Sequence, residues 1–405
     1  MKILSDKVYK YGFAIVLAIF IICLLFVANS LSISYKEALN VFDNTSVLTL
    51  VTFLPLKIFG FNDIALRLPF ILFYASSAYL MYLLTKGYFK YESDRLINVI
   101  LFMLLPGVLS ASLLVNTAII VTFFTLLYLY YYKTYGKHNY YLLVLFLFID
   151  NSFAVFFLAL FFYALNKKEN QLFIVSLILF GLSMYIYGFE TSGKPKGYLL
   201  DLFAIYGSIF SPLLFIYFFY AMYRIGIKGN RSLYWYISVT ALVFSFLFSI
   251  RQKVYIEDFA PYVVITLPLM LKLFFHTFRV RLPEFRGMHR KLAFLVVALL
   301  AINVLLTVVN KPLYLLLAKP QKHFAYKYHF AKEIATILKE EEINEVFSDD
   351  YQLTKRLQFY NITSGNKFLI TFNPYYKEYP SYSVSYYDKE ILTFYIVPKQ
   401  NLLGY

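Results

Sequence analysis

The chain has 405 residues, 60% of them hydrophobic and 15% charged, with 38 Lys/Arg against 23 Asp/Glu for a formal charge of +15. A soluble globular protein carries roughly 25% charged residues, so the composition excludes an ordinary soluble domain. It also argues against a nucleic-acid binder, because the basic residues sit in short connections between apolar runs. The lone cysteine, Cys23, excludes an intrachain disulfide and any metal site built from several cysteines.

Lys2, Lys7 and Lys10 precede the first apolar run, 13–33. That order resembles a signal peptide, but the run is long and lacks a clear small-x-small cleavage site, so an uncleaved first helix is predicted. Residues 34–63 are semi-polar. Within them 47–61, with Pro55 and Lys57, is short for a span and reads as an interfacial helix.

Further apolar segments fall at about 64–85, 96–113, 115–132, 140–150, 153–166, 171–188, 203–223, 233–250, 259–276 and 292–310. A bilayer core needs about 20 apolar residues per helix. The pair 140–150 and 153–166 is either a hairpin or one span interrupted by Asp150-Asn151-Ser152. Excess Lys/Arg marks the cytoplasmic side of a membrane. With a hairpin, 18 basic residues lie on the side of the N-terminus and 7 in the opposite short loops. A single span would instead turn Arg279, Arg281, Arg286, Arg290 and Lys291 outward. The hairpin is therefore preferred, and its turn takes Asp150 as a cap. It also keeps Asp150 away from mid-bilayer, where a charge costs about 2.5–3.5 kcal/mol.

After Asn310 the character changes: residues 311–405 hold 12 Lys/Arg and 10 Asp/Glu and no run long enough to span. Helices are predicted over 327–342 and 349–359, and strands over 345–348, 368–372 and 391–397. The resulting fold class is an all-α polytopic membrane bundle of about eleven transmembrane helices, residues 1–310, followed by a small α/β domain, residues 311–405. An odd number of spans from a cytoplasmic start places that domain outside the cell.

Several short motifs occur in a telling order. Tyr35-Lys36-Glu37-Ala38 opens the first external loop, Lys57-Ile58-Phe59-Gly60 ends the amphipathic piece, and Ala65-Leu66-Arg67-Leu68-Pro69 enters the second span. Arg251-Gln252-Lys253-Val254-Tyr255 is followed by Pro261-Tyr262, and Val346-Phe347-Ser348-Asp349-Asp350 leads to Phe359-Tyr360. This order resembles the GT-C superfamily of membrane glycosyltransferases, in the branch of the protein mannosyltransferases and the aminoarabinose transferase. The resemblance is spread thinly over nearly the whole chain. Where that branch usually has Asp-Glu, this chain has Lys36-Glu37.

The resemblance implies transfer of a sugar from a polyprenyl phosphate to a lipid, glycan or protein acceptor, in a bacterial cytoplasmic (inner) membrane and on its outer face. Membrane lipids are the remaining partners, and nucleic acid is not among them. Glu37 is then the first candidate for the general base and Asp43 the second. Arg251 and Lys253, with Arg67, Lys57 and Tyr262 behind them, are candidates for holding the lipid phosphate. Fixed cations there would stabilise the charge that develops on the departing phosphate. No cofactor is required by the resemblance, and a divalent cation is left open.

Each residue also has a plainer reading. Glu37 can be a solvated loop residue, Arg251 and Lys253 interfacial anchors, and Arg67 a marker of the helix start. Glu257 and Asp258 read as salt-bridge partners of the adjacent basic pair. His276, His289, His323 and His329 lack metal-ligand spacing and read as surface residues. Two other functions compete with the enzyme: a non-catalytic lipid-binding or scaffold protein of the same fold, and, less well supported, a transporter or flippase. The last would place ionisable groups inside its spans and show inverted repeats, and neither is visible in the sequence.

Overall fold

The computed structural model describes residues 2–43, 46–188 and 197–398, with side chains from residue 7 onward. Among them are nineteen α-helices and five strands. The first helices are α1 (Lys2–Ser30), α2 (Tyr35–Phe42), α3 (Val47–Phe59) and α4 (Asp63–Leu84). Next come α5 (Glu92–Leu104), α6 (Pro106–Leu113), α7 (Ala118–Tyr135), α8 (Tyr140–Phe146), α9 (Phe153–Lys167) and α10 (Asn170–Tyr187). Then follow α11 (Leu199–Phe210), α12 (Pro212–Lys228), α13 (Leu233–Ser249), α14 (Ile256–Val264), α15 (Leu267–Val280) and α16 (Arg286–Val308). The last part holds α17 (Leu313–Leu316), α18 (Ala331–Glu340), α19 (Tyr351–Phe359) and strands β1 (Glu345–Ser348), β2 (Thr363–Ser364), β3 (Phe368–Thr371), β4 (Ser381–Tyr386) and β5 (Lys389–Pro398).

Among the described residues four helices are long and apolar enough to cross a membrane, and the number rises to eight if each bent pair is one span. The expected count of about eleven is not reached by this measure. Prolines account for much of the difference. The segments 96–113, 203–223 and 259–276, each expected to be one helix, are bent by 54°, 100° and 43°. The first two bends fall just before Pro106 and Pro212, and the third just before Leu267-Pro268. A residue preceding proline is pushed out of the α region, and Leu105 (ψ 125°) and Ser211 (φ 78°) take up the turns. A turn separates α8 from α9 at 150–152, where Asp150 accepts a bond from the Ser152 backbone N–H (2.9 Å).

The chain divides into two compact units. The first comprises residues 1–22 and 70–304 and is entirely helical. Its core uses the aromatic excess of the sequence: Phe146 stacks on Phe153 (4.4 Å between centroids), and Tyr128 meets Phe156 edge-on (5.2 Å). Such pairs add about 0.5–1.5 kcal/mol beyond the area they bury.

The second unit comprises residues 23–69 and 305–405. Its sheet has the order β2-β1-β3-β5-β4. β1 runs parallel to β2 and β3, while β5 runs antiparallel to β3 and β4. Leu369 pairs with Val397 and Ile370 with Ile396 at its centre. Helix α18 buries Ala331, Ile334, Ala335 and Leu338, the spacing of a single helical face. In α3 the apolar residues Leu50, Phe53, Leu54, Ile58 and Phe59 are exposed, the pattern of a helix lying in a membrane interface.

Candidate functional site

The second unit contains a buried network of charges centred on the turn between α1 and α2. Ser34 caps α2: its side chain accepts from the Glu37 backbone N–H, while the Glu37 carboxylate accepts from the Ser34 backbone N–H (2.9 Å) and hydroxyl (3.0 Å). This reciprocal pair is the capping box of a Ser-x-x-Glu sequence. Glu37 also accepts from Arg67 Nη2 at 3.3 Å, and both side chains are buried.

Arg67 stands one turn into α4. Its Nη1 donates to the carbonyls of Ala28 (3.5 Å), Leu31 (3.2 Å) and Asp63 (3.4 Å), and its Nη2 to that of Ser32 (3.2 Å). The last carbonyls of a helix have no partner within it, so Arg67 satisfies the end of α1 as well as Glu37. Asp63, four residues earlier, lies 3.5 Å from Arg67 and 3.1 Å from Lys332.

Residues from the C-terminal part complete the network. The Tyr360 hydroxyl donates to Asp63 Oδ1 (2.8 Å) and accepts from the Ile33 backbone N–H (3.0 Å). Burial, with Asp63 alongside, pushes that hydroxyl's pKa up, so it stays a donor. Arg356 Nε donates to the Ile33 carbonyl (2.7 Å), and its Nη2 to the Ser32 hydroxyl (3.2 Å) and the His329 carbonyl (2.7 Å). Residues 31–33 are thus held by two arginines more than 280 positions apart in the chain.

The other candidate residues are placed as follows. Asp43 is exposed at the end of α2 and forms an ion pair with Lys355 at 2.9 Å. The bond to Asp43 raises the Lys355 pKa. Lys57 is exposed in the last turn of α3, its ammonium 5.6 Å from the centre of the Phe53 ring. Arg251, Lys253 and Tyr262 belong to the first unit. Arg251 and Lys253 are exposed in the connection between α13 and α14. Tyr262 is fully buried, its ring 6.2 Å from that of Phe156 and its hydroxyl 3.4 Å from that of Ser152. Of the candidates, Glu37 and Arg67 are therefore in contact.

Asp63, Lys332 and Arg356 were not singled out from the sequence, and Tyr360 was noted only as the end of a motif. Asp63 had a signal: an Asp four residues before an Arg on a predicted helix. The capping box at Ser34-x-x-Glu37 was legible too. The expectation that His323 and His329 are surface residues is corrected: both are buried. His323 stacks on Tyr314 (4.1 Å), and His329 Nδ1 is 2.8 Å from the Tyr314 hydroxyl. An aromatic face and a hydroxyl suit a neutral imidazole, and burial, aided by His323, Lys311 and Arg356, lowers the His329 pKa to about 3. Among the described residues no group of three or more His, Cys, Asp or Glu converges as a metal site.

Comparison with solved structures shows the fold. The apo crystal structure of ArnT from Cupriavidus metallidurans superimposes with a TM-score of 0.52 at 11% identity, over 96% of this chain and 98% of that one. The structure of the same protein bound to undecaprenyl phosphate gives 0.55 at 10% identity, over 95% and 98%. No protein-family model and no curated protein matches the chain. The chain therefore has a fold like that of ArnT, mostly helical with a small C-terminal sheet.

Proposed function

We propose that the protein is a membrane glycosyltransferase that moves a sugar from a polyprenyl phosphate to an acceptor hydroxyl. The observation that carries this reading is the likeness to ArnT across 95% or more of both chains, helical part and C-terminal sheet together, including a structure of ArnT bound to undecaprenyl phosphate. In the reaction the acceptor oxygen bonds to the anomeric carbon as the bond from that carbon to the phosphate oxygen breaks. A carboxylate takes the hydroxyl proton, and the polyprenyl phosphate leaves with the negative charge. The charge pattern of the loops supports an inner-membrane protein with a cytoplasmic N-terminus and an external C-terminal segment.

In this reading Asp43 is the stronger candidate for the base, because its carboxylate is exposed. Arg251 and Lys253 are the candidates for the leaving phosphate, with Lys57 a further exposed cation. Glu37 and Arg67 brace the N-terminal end of α2, the helix whose other end carries Asp43, and Tyr262 is packed in the helical core of the first unit. A base contributes roughly 10²–10⁴-fold, so Asp43→Asn should lower turnover by that amount with little change in lipid binding. The test is surface glycosylation in a deletion strain complemented with wild type, Asp43→Asn or Arg251→Ala/Lys253→Ala. Full activity of both variants, where the deletion abolishes it, sinks this assignment.

One observation favours a second reading, a non-catalytic lipid-binding protein of the same fold. Lys36 stands where the resembling branch has its first acid, and the neighbouring Glu37 is enclosed in a capping box and an ion pair. That reading predicts binding of undecaprenyl phosphate by the purified protein with no sugar release under any donor.

A further inference from the structure

In the first unit, the C-terminal turns of α7 and α9 and the connections that follow α4 and α12 line a cavity of about 760 Å³. Its walls include the rings of Tyr88, Tyr132 and Tyr234 and the side chain of Asn166. Three cations line it, Lys133, Lys167 and Arg231, and none of the described lining residues is acidic. Glu169, close in sequence to Lys167, is 3.0 Å from His138. Lys133 donates to the carbonyls of Leu84 and Lys86, both at 2.7 Å, so part of its capacity is spent at the end of α4. Among the described residues Lys167 and Arg231 have no ion-pair partner; Arg231 donates its Nε to the Gly226 carbonyl at 3.0 Å and lies 5.3 Å from the centre of the Trp235 ring. A cavity that collects three cations and no carboxylate among its described lining is short of negative charge.

A second cavity, about 510 Å³, shares Asn166 and Arg231 with the first. It is otherwise mostly apolar, running between α9 and α13 past Leu165, Trp235, Val239, Val243 and Phe244. Together the two make a cationic, tyrosine-lined head space joined at Arg231 to an apolar track along the apolar helices α9 and α13. That is the shape and polarity of an amphiphile with an anionic head. Arg231 and Arg251 flank opposite ends of α13, whose 17 residues extend about 25 Å. The cavity is therefore separate from the proposed leaving-phosphate residues.

We propose that this pair of cavities is a binding site for an anionic glycerophospholipid. Its phosphate lies against Lys167 and Arg231, its head hydroxyls meet the tyrosine and asparagine side chains, and one acyl chain lies in the groove beside Trp235. A general attraction of basic loops to an anionic leaflet has no need of a cavity or of an adjoining apolar track.

Trp235 is the only tryptophan of the chain, and it lines the groove, so the full-length protein reports on its own site. It is reconstituted in phosphatidylcholine bilayers doped with either phosphatidylglycerol or phosphatidylcholine carrying brominated chains, and quenching is normalised within each variant. Wild type should be quenched preferentially by the brominated phosphatidylglycerol, with a preference of about fivefold for each of the two cations. Lys167→Gln/Arg231→Gln should reduce the preference to that of the bulk bilayer. Lys137→Gln, an exposed cation outside the cavity, should keep it. Equal quenching by both lipids in wild type, or an unchanged preference in the double variant, overturns the proposal. Relief of quenching by undecaprenyl phosphate at lower concentration than by unbrominated phosphatidylglycerol overturns the choice of lipid.

Discussion

Arg67 is the residue at which the sequence-based and structural roles part most sharply, and its removal separates them. In the structure it is fully buried and bonds to four backbone carbonyls and to Glu37. Arg67→Met would leave Glu37 and Asp63 without their shared cation, with Lys332 still beside Asp63. Removing one partner of a buried ion pair costs about 3–5 kcal/mol. Glu37→Gln is milder, because the amide oxygen still accepts from Ser34, and the loss of one charged hydrogen bond costs about 1.5–3 kcal/mol. The double variant Glu37→Gln/Arg67→Met removes both charges, so it should be less destabilised than the sum of the singles by about 0.5–3 kcal/mol. Equilibrium unfolding of the detergent-solubilised full chain measures all three. An Arg67→Met protein that loses under about 1 kcal/mol of stability while sugar transfer disappears would refute the bracing role and return Arg67 to the substrate.

Three further outcomes follow from the same geometry. Asp43→Asn breaks only a solvated pair with Lys355, so stability should change by less than about 1 kcal/mol, and unfolding measured beside the turnover assay separates a catalytic loss from a structural one. The neutral His329, with its folded pKa lowered to about 3 from 6.5, binds fewer protons folded than unfolded between those values. Stability should therefore fall as pH drops below about 6.5, by roughly 2 kcal/mol on reaching pH 5, and a pH series on wild type and His329→Gln should show a smaller acid loss in the variant. A Cβ on Gly107 would lie 2.9 Å from Ile209 Cγ2 and 3.2 Å from its Cα, so Gly107→Val should cost about 1–3 kcal/mol through overpacking of α6 on α11, read from the thermal midpoint.

The elements most legible in the sequence were those whose periodicity and flanks agree. β1 falls on 345–348 as expected, and α19 follows Asp350, whose side chain accepts from the Gln352 backbone N–H at 2.9 Å. β4, Ser-Tyr-Ser-Val-Ser-Tyr at the sheet edge, was missed because an edge strand has one solvated side and needs few apolar residues. Hydropathy marked apolar stretches but not their bends, because a proline shifts the backbone without altering the mean apolarity. The turn between α8 and α9 was legible because Asp150-Asn151-Ser152 is a local polar break in an apolar run.

The candidate site was less legible, and the reason is physical. A buried ion network is defined by who is near whom, and here the partners lie far apart in the chain: Ile33 with Tyr360 and Arg356, Asp63 with Lys332. Sequence could show that Glu37 follows Ser34 at capping-box spacing and that Asp63 precedes Arg67 by one turn. Both are local facts, and both point toward structure rather than chemistry. A carboxylate buried between the Ser34 cap and the Arg67 guanidinium is closed off from an acceptor hydroxyl. The same arrangement fixes α2 at its N-terminus and leaves its C-terminal end, with Asp43, exposed. Catalysis by this chain therefore depends on whether the role taken elsewhere by an acid at the start of that helix has passed to its end, eight residues after Tyr35. Asp43→Asn and Glu37→Gln, compared for turnover and for stability in the same preparation, decide it: a loss of turnover confined to Glu37→Gln without a loss of stability would leave no place for Asp43 in the reaction.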